Sequence, residues 1–317
     1  MIKFVVFLGR TEHSRHMFRD IYEWEEAVTE KQINNKIVKF INILHTSCRS
    51  NQYFRIPLQN IWYPFYLQYD KLPRDRKLLF LFCEENRLCY DKKYLKYLRK
   101  RYPKARIGFY AINSSYTIGE KYLELINLQY DFVVTFDKQD SERYGWIYYS
   151  GVYSSIPHED YPIIYDLLFV GNNAGRINLL HEIYAKLKSK GIKCKFIINQ
   201  VPSSDMIKNS DIEYNRHLSY DEIIKLDLQS KCILEVLREN QHGNTLRLSE
   251  SIVLGRKLLT NNSNILQERY YNENMMQVFD KIEDINVDFL TSDIPKNIRN
   301  RNVLSPINML NQLDQIV

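Results

Sequence analysis

The chain has 317 residues, of which 44% are hydrophobic and 26% charged, and a net charge of +6. These proportions exclude a disordered or fibrous chain, and no apolar run reaches the ~18–20 residues that cross a bilayer. The length exceeds one ordinary core and predicts two domains, while the mild positive charge permits an anionic partner without naming one.

The N-terminal "IKFVVFL" (2–8) reads as a first β-strand. Its apolar stretch is short and runs straight into charge, which is not the pattern of a secretory leader, so a cytoplasmic location is expected. Cys48, Cys83, Cys89, Cys194 and Cys232 are scattered and form no CxxC pair. They predict reduced thiols and neither a disulfide framework nor a zinc site. "DIYEWEEAV" (20–28) and "INNKIVKFINIL" (33–44) have helical spacing. "KLLFLFC" (77–83), "ARIGFYAIN" (105–113) and "YDFVVTFD" (130–137) are of strand length and composition, and "KKYLKYLRKRY" (92–102) is helical. The stretch 91–106 carries eight Lys/Arg among Tyr and Leu. It suits peripheral contact with anionic lipid at the inner face of a membrane; the competing reading is a solvated basic helix face.

"GWIYYSGVYSSIPHEDYPIIY" (145–165) lacks periodicity and reads as a connector. Beyond it come a strand, "YDLLFVG" (165–171); a turn, "NNAGR"; an amphipathic helix, "INLLHEIYAKLKSKG" (177–191); and a strand, "IKCKFII" (192–198). A helix, "SYDEIIKLDLQ", a strand, "KCILEVL" (231–237), a turn into a further helix, a short strand at 257–260 and two polar helical stretches complete the order. Strands alternating with helices predict an α/β protein with two Rossmann-like domains, each a covered parallel sheet. The expected divisions are 1–155, 163–295, and a segment 296–317 that returns to the first domain. In such sheets ligands sit at the carboxyl ends of strands.

Two places in the second half could carry chemistry. Gly171, Asn172, Asn173 and Gly175-Arg176 lie between a strand end and a helix N-terminus, where backbone amides and a guanidinium can hold phosphate. The alternative is a tight turn with a surface arginine. One layer along, the turn Gln241-His242-Gly243-Asn244-Thr245 opens a helix with Arg247 on its first turn and Glu250 one turn later. An arginine there opposes the helix dipole unless an anion compensates, and a carboxylate beside it could accept from vicinal hydroxyls. The alternative is an i,i+3 surface ion pair.

The segment "SKCILEVLRENQHGNTLRLSESIVLGRKLLTNN" (230–262) resembles the donor-binding segment of glycosyltransferases with the two-domain GT-B fold. The likeness is closer to a bacterial subgroup that builds capsular polysaccharide and lipopolysaccharide glycans, and it extends from about residue 130. It implies two domains facing each other across a cleft and transfer of a hexose from a nucleotide sugar to a glycan or lipid-linked acceptor. By the same resemblance Gly171, Asn172, Asn173, Arg176, Thr245 and Arg247 face the donor diphosphate and Glu250 the ribose. On that pattern Glu250 falls at the second of the family's two glutamates, and His242 stands where the family has the first, a departure.

No DxD motif occurs, Asp211-Ile-Glu213 being the nearest approach in what reads as a loop, so metal independence is expected; so is the absence of any cofactor beyond the nucleotide-sugar substrate. For a catalytic base the candidates are Glu84 and Glu85, just past a strand, and His13 and His16 after the first strand. Ordinary surface positions are the alternative for each. His217 is a candidate beside the leaving group or a plain loop histidine. Nucleotide-sugar 2-epimerases of the same architecture, and a non-catalytic partner subunit that keeps the fold, are the rival functions. A nucleic-acid role is not expected.

Overall fold

A computed structural model describes residues 1–9, 11–29, 35–47, 51, 53, 57–66, 72–86, 89–156, 161–238, 243–295 and 302–317. It resolves into two compact units, Met1–Ser154 with Ser305–Val317, and Ser155–Leu304. Each holds one six-stranded parallel sheet with helices packed on it, so the chain is α/β with two Rossmann-like units.

The first sheet has strands β1 (Phe4–Phe7), β2 (Ala27–Thr29), β3 (Leu79–Cys83), β4 (Arg106–Ala111), β5 (Phe132–Thr135) and β6 (Ile147–Tyr148), in the order β2-β1-β3-β4-β5-β6. The second has β7 (Tyr165–Asn172), β8 (Cys194–Asn199), β9 (Glu213–Tyr214), β10 (Ser230–Glu235), β11 (Lys257–Thr260) and β12 (Met276–Val278), in the order β12-β11-β10-β7-β8-β9. Both orders reverse once, between β1 and β3 and between β7 and β10. Those reversals are the topological switch points where an open α/β sheet offers a crevice.

The described helices of the first unit are α1 (Glu12–Met17), α2 (Arg19–Tyr22), α3 (Lys36–His45), α4 (Gln59–Trp62), α5 (Lys92–Arg101), α6 (Ser115–Ile118), α7 (Glu120–Gln129), α8 (Lys138–Tyr144) and, from the chain's end, α13 (Pro306–Ile316). The second unit has α9 (Ile177–Ser189), α10 (Tyr220–Leu228), α11 (Leu246–Leu254) and α12 (Val287–Thr291). Their starts follow from local chemistry. Asp91 accepts from the amides of Lys93 and Tyr94 to begin α5, and Ser219 with Glu222 forms a capping box on α10.

Apolar runs become central strands because both faces are covered: every residue of β1, β3 and β5 is buried. Phe7 stacks on Phe82 at 4.0 Å, and Tyr94, Leu95 and Leu98 of α5 close that face. Complete burial of such side chains contributes about 1.5–3 kcal/mol each. The strands that run against expectation are short edges. Ala27–Thr29, inside a segment whose spacing looks helical, pairs in parallel with Phe4, Val5 and Val6. Glu213 likewise belongs to β9, paired with Ile197, and is not a loop residue. Ile147–Tyr148, within the expected connector, is the last strand of the first sheet. The four cysteines among the described residues are free thiols.

Gly108 on β4 faces Phe132 on β5, and a Cβ there would come within 2.2 Å of the Phe132 ring. Gly108→Ala should therefore lower stability by about 1–3 kcal/mol, measured as a reduced urea midpoint at unchanged slope, because the ring must leave its rotamer.

Candidate functional site

At the switch point of the second unit the end of β7 turns into α9 through Asn173-Ala174-Gly175-Arg176. Ala174 and Gly175 both take left-handed backbone, with φ of 46° and 83°, and the turn closes by Arg176 N donating to Asn173 O at 2.9 Å. Holding an alanine there costs energy that the surrounding structure must over-determine. Helix α9 then starts without a side-chain cap and without an acidic residue in its first turn. Its leading amides keep their partial positive charge uncompensated by any capping group.

Arg176 fastens this corner. Its Nη2 donates to Asn172 O at 2.7 Å, its Nε to Asn173 O at 3.2 Å and its Nη1 to Val236 O, tying the end of β7 to the end of β10. The guanidinium also lies 5.6 Å from the Phe169 ring centroid, and a Cβ at Gly171 would come within 3.2 Å of that ring. Burial first, and then the charge of Arg238, push the Arg176 pKa down to about 10, with Glu235 opposing both. Two guanidiniums thus repel one another across the β7/β10 switch point, beside a helix N-terminus of the same sign. Arg238 and Glu235 are site residues that the sequence did not single out.

Glu235, the last residue of β10, is 1% exposed. It accepts from Thr245 N at 3.2 Å, from the Thr245 hydroxyl, and from Thr260 Oγ1 at 2.5 Å. One carboxylate therefore joins the ends of β10 and β11 to the start of α11. Burial raises its pKa, against the lowering effect of the threonines and Arg176. Thr245 also caps α11 by accepting from Arg247 N at 3.1 Å. Asn244 donates to Tyr270 Oη at 2.7 Å and to Glu268 Oε1 at 3.3 Å, and accepts from Asn262 at 3.2 Å. Gly243 is buried beside it, and His242 lies outside the described residues.

Arg247 and Glu250 do share one side of α11, and both turn inward. Glu250 is fully buried and Arg247 keeps 15% of its side chain exposed. Arg247 Nη1 donates to both oxygens of the fully buried Asp227 on α10, at 3.1 and 3.3 Å, and Nη2 closes on Glu250. Tyr220 Oη donates to Glu250 Oε1 at 2.5 Å. Burial raises the pKa of both carboxyls, and Arg247 pulls them back. The ion pair proposed from spacing exists, but as part of a buried Asp–Arg–Glu cluster and not as a surface pair. The acidic groups that face Arg247 in this structure are Asp227 and Glu250.

In the first unit Glu84 and Glu85 follow β3 at the other switch point. Glu84 is 1% exposed and accepts from Ile112 N, Asn113 N and Asn113 Nδ2 at 2.8–3.0 Å, so it locks the end of β4. Glu85 is half-buried and accepts from Thr11 Oγ1 and Ser14 Oγ, both at 2.8 Å. Gly9 makes that approach feasible, since a Cβ there would fall 1.6 Å from Glu85 Oε2. His13 is half-buried on α1, tilted against Tyr153 at 6.5 Å between centroids, and His16 is half-buried one turn on. Both carboxyls lie at the strand end, Glu84 held by backbone amides and the Asn113 side chain and Glu85 by two hydroxyls. His217 is exposed in the loop between β9 and α10.

No family model and no curated protein matches the chain. Solved structures do. T4 phage BGT, held with its UDP-glucose substrate, aligns at 11% identity over 99% of this chain and 96% of its own, with a TM-score of 0.44. An α-glucosyltransferase held with UDP and a 13-mer DNA aligns at 14% identity over 83% and 81%, with a TM-score of 0.45. A UDP-forming trehalose-phosphate synthase from Burkholderia xenovorans aligns at 11% identity over 90% and 89%, with a TM-score of 0.44.

Proposed function

We propose that the chain is a metal-independent glycosyltransferase that moves a hexose from a nucleoside-diphosphate sugar to a cell-surface glycan or lipid-linked acceptor. One observation carries this reading. Arg176, held on the ends of β7 and β10 with the like charge of Arg238 nearby, stands beside the uncapped start of α9, at the switch point of the sheet whose β10–α11 segment resembles the donor site of such enzymes. An anion there would relieve the repulsion and accept the open amides. As the bond from sugar to diphosphate breaks, negative charge grows on the leaving phosphate, and fixed positive groups stabilise that charge without a cation. The first unit would supply Glu85 as the group that takes the acceptor hydroxyl proton.

Asn178, exposed at the second position of α9, separates binding from stability. Asn178→Asp places a carboxylate in the helix's first turn, which should raise stability by about 0.3–1 kcal/mol through the dipole. The same charge should repel a diphosphate and weaken its binding about tenfold or more. Thermal shifts of both proteins with UDP, GDP, dTDP and CMP in EDTA test this. A nucleotide that stabilises the native protein and fails on the more stable variant supports the site; equal stabilisation of both would place the nucleotide elsewhere.

The engagement of Arg247 by Asp227, and of Thr245 by Glu235, also favours a second reading, a partner subunit that keeps the fold without turnover. Such a protein would bind nucleotide yet release none from any sugar donor in the presence of cell-envelope glycan acceptors.

A further inference from the structure

Helix α3 is packed inside out. It turns Val38, Asn42 and His45 to the interior, where His45 Nδ1 meets Tyr66 Oη and Asn51 and Gln59 donate to the His45 carbonyl. Its outer face carries Ile37, Phe40, Ile43 and Leu44, exposed to 68, 60, 50 and 42%. A globular helix sets its apolar stripe on the core and its polar residues in water, whereas α3 buries Asn42 and His45 beside Val38 and leaves four large apolar side chains outside. Leu58 just before α4, Ile61 within it and Phe65 after it are exposed as well, and α4 packs against α3. A contiguous apolar surface of this kind marks something to be covered.

Its charges indicate what covers it. α3 contains no carboxylate, and Lys36 and Lys39 give it positive charge. Lys36 and Lys39 are exposed on α3 itself, interleaved with Ile37 and Phe40. Tyr63, at the end of α4, packs on Tyr94 and Tyr97 of α5, so the basic helix with exposed Lys92, Lys93, Lys96 and Lys100 adjoins the same layer. α5 itself buries Tyr94, Leu95 and Leu98 in the ordinary way and offers only charge.

We propose that the outer face of α3, with Leu58, Ile61 and Phe65, inserts into the headgroup–acyl boundary of an anionic lipid bilayer. Apolar side chains enter the boundary, and the lysines beside them meet lipid phosphates. Both contributions are needed for firm attachment of a helix that lies in the membrane plane. The inference is independent of the reaction proposed above, since it rests on a different surface and needs no nucleotide.

Co-sedimentation of the full chain with vesicles tests it. Equimolar phosphatidylcholine and phosphatidylglycerol should pellet the protein at low salt, and pure phosphatidylcholine should pellet much less. The double variant Phe40→Ser, Ile43→Ser should lose at least about tenfold in partitioning, because two insertable side chains are removed. Hydrogen exchange of the unmodified protein on the same vesicles guards against misfolded variants: amides of 36–45 and 58–65 should slow. Three outcomes overturn the proposal. One is unchanged partitioning of the double variant together with loss in Lys96→Glu, Lys100→Glu, which would assign binding to the charge of α5 alone. Another is no slowing at α3 on vesicles. The third is concentration-dependent slowing at α3 without lipid, which would make the face a contact between copies of this chain.

Discussion

Arg247→Ala should destabilise the protein by about 3–5 kcal/mol, because it removes the cation from between two buried carboxyls. The loss should depend on pH, and its sign follows from the burial of Asp227 and Glu250. Burial already raises both pKa values and Arg247 lowers them, so without the arginine they rise further. A carboxyl whose folded pKa exceeds its unfolded one contributes stability that is complete below the unfolded value and is lost as pH rises through the folded one. The deficit of the variant should therefore be greatest at alkaline pH and should shrink as pH falls toward the unfolded carboxyl range. Denaturant unfolding of variant and native protein at several pH values checks this. Adding Asp227→Asn to the alanine variant should restore part of the loss, since residues in one ion-pair cluster do not add independently. A flat pH dependence would mean the cluster is solvated and the arginine interchangeable. The same reasoning governs any functional use of Arg247→Ala. Lost nucleotide binding in that variant reports a contact with phosphate only once retention of the α10–α11 packing has been shown.

The central strands of both sheets were legible because a fully buried parallel strand is written as an unbroken apolar run, as in Leu79–Cys83 or Leu167–Val170. The edge strands were not. Ala27–Thr29, Ile147–Tyr148, Glu213–Tyr214 and Met276–Val278 are two or three residues long, and pairing with a neighbour makes them strands more than any pattern of their own does. The switch-point turn at Asn173–Arg176 was visible through its glycine and its place after a strand. The partners of its arginine were not, because Asn172 O, Asn173 O and Val236 O are backbone atoms, and Val236, sixty residues away, comes near only through the crossover that sets β10 beside β7. Asp227 is the clearest omission. In "SYDEIIKLDLQ" it looks like one more solvent-facing acid on an amphipathic helix, and its burial arises from α11 packing on α10, a contact made across some twenty residues. Glu235 was hidden in the same way, as the polar end of an apolar strand.

Glu235 gives the second large effect, and its two variants should separate structure from binding. Glu235→Ala removes the acceptor of the Thr245 amide and of two hydroxyls in a site from which water is excluded. Orphaned buried donors cost about 1–3 kcal/mol each before relaxation, so the loss should reach about 3 kcal/mol. It should open the start of α11, seen as faster hydrogen exchange at Arg247 and Leu248. Glu235→Gln keeps one carbonyl for Thr245 and offers an amide to the Thr260 oxygen, so about 1 kcal/mol should be lost near the unfolded carboxyl pKa. That difference should narrow as pH rises, because the pKa of the native carboxyl is raised by burial and its ionisation weakens the folded state. Glutamine also withdraws the negative charge that now partly offsets Arg176. If Arg176 and Arg238 form the diphosphate site, nucleotide binding at neutral pH should tighten in Glu235→Gln even though the protein is less stable. Weaker binding in that variant would instead show that Glu235 serves the ligand by ordering Thr245 and the turn before it, and the electrostatic account of the site would have to be given up.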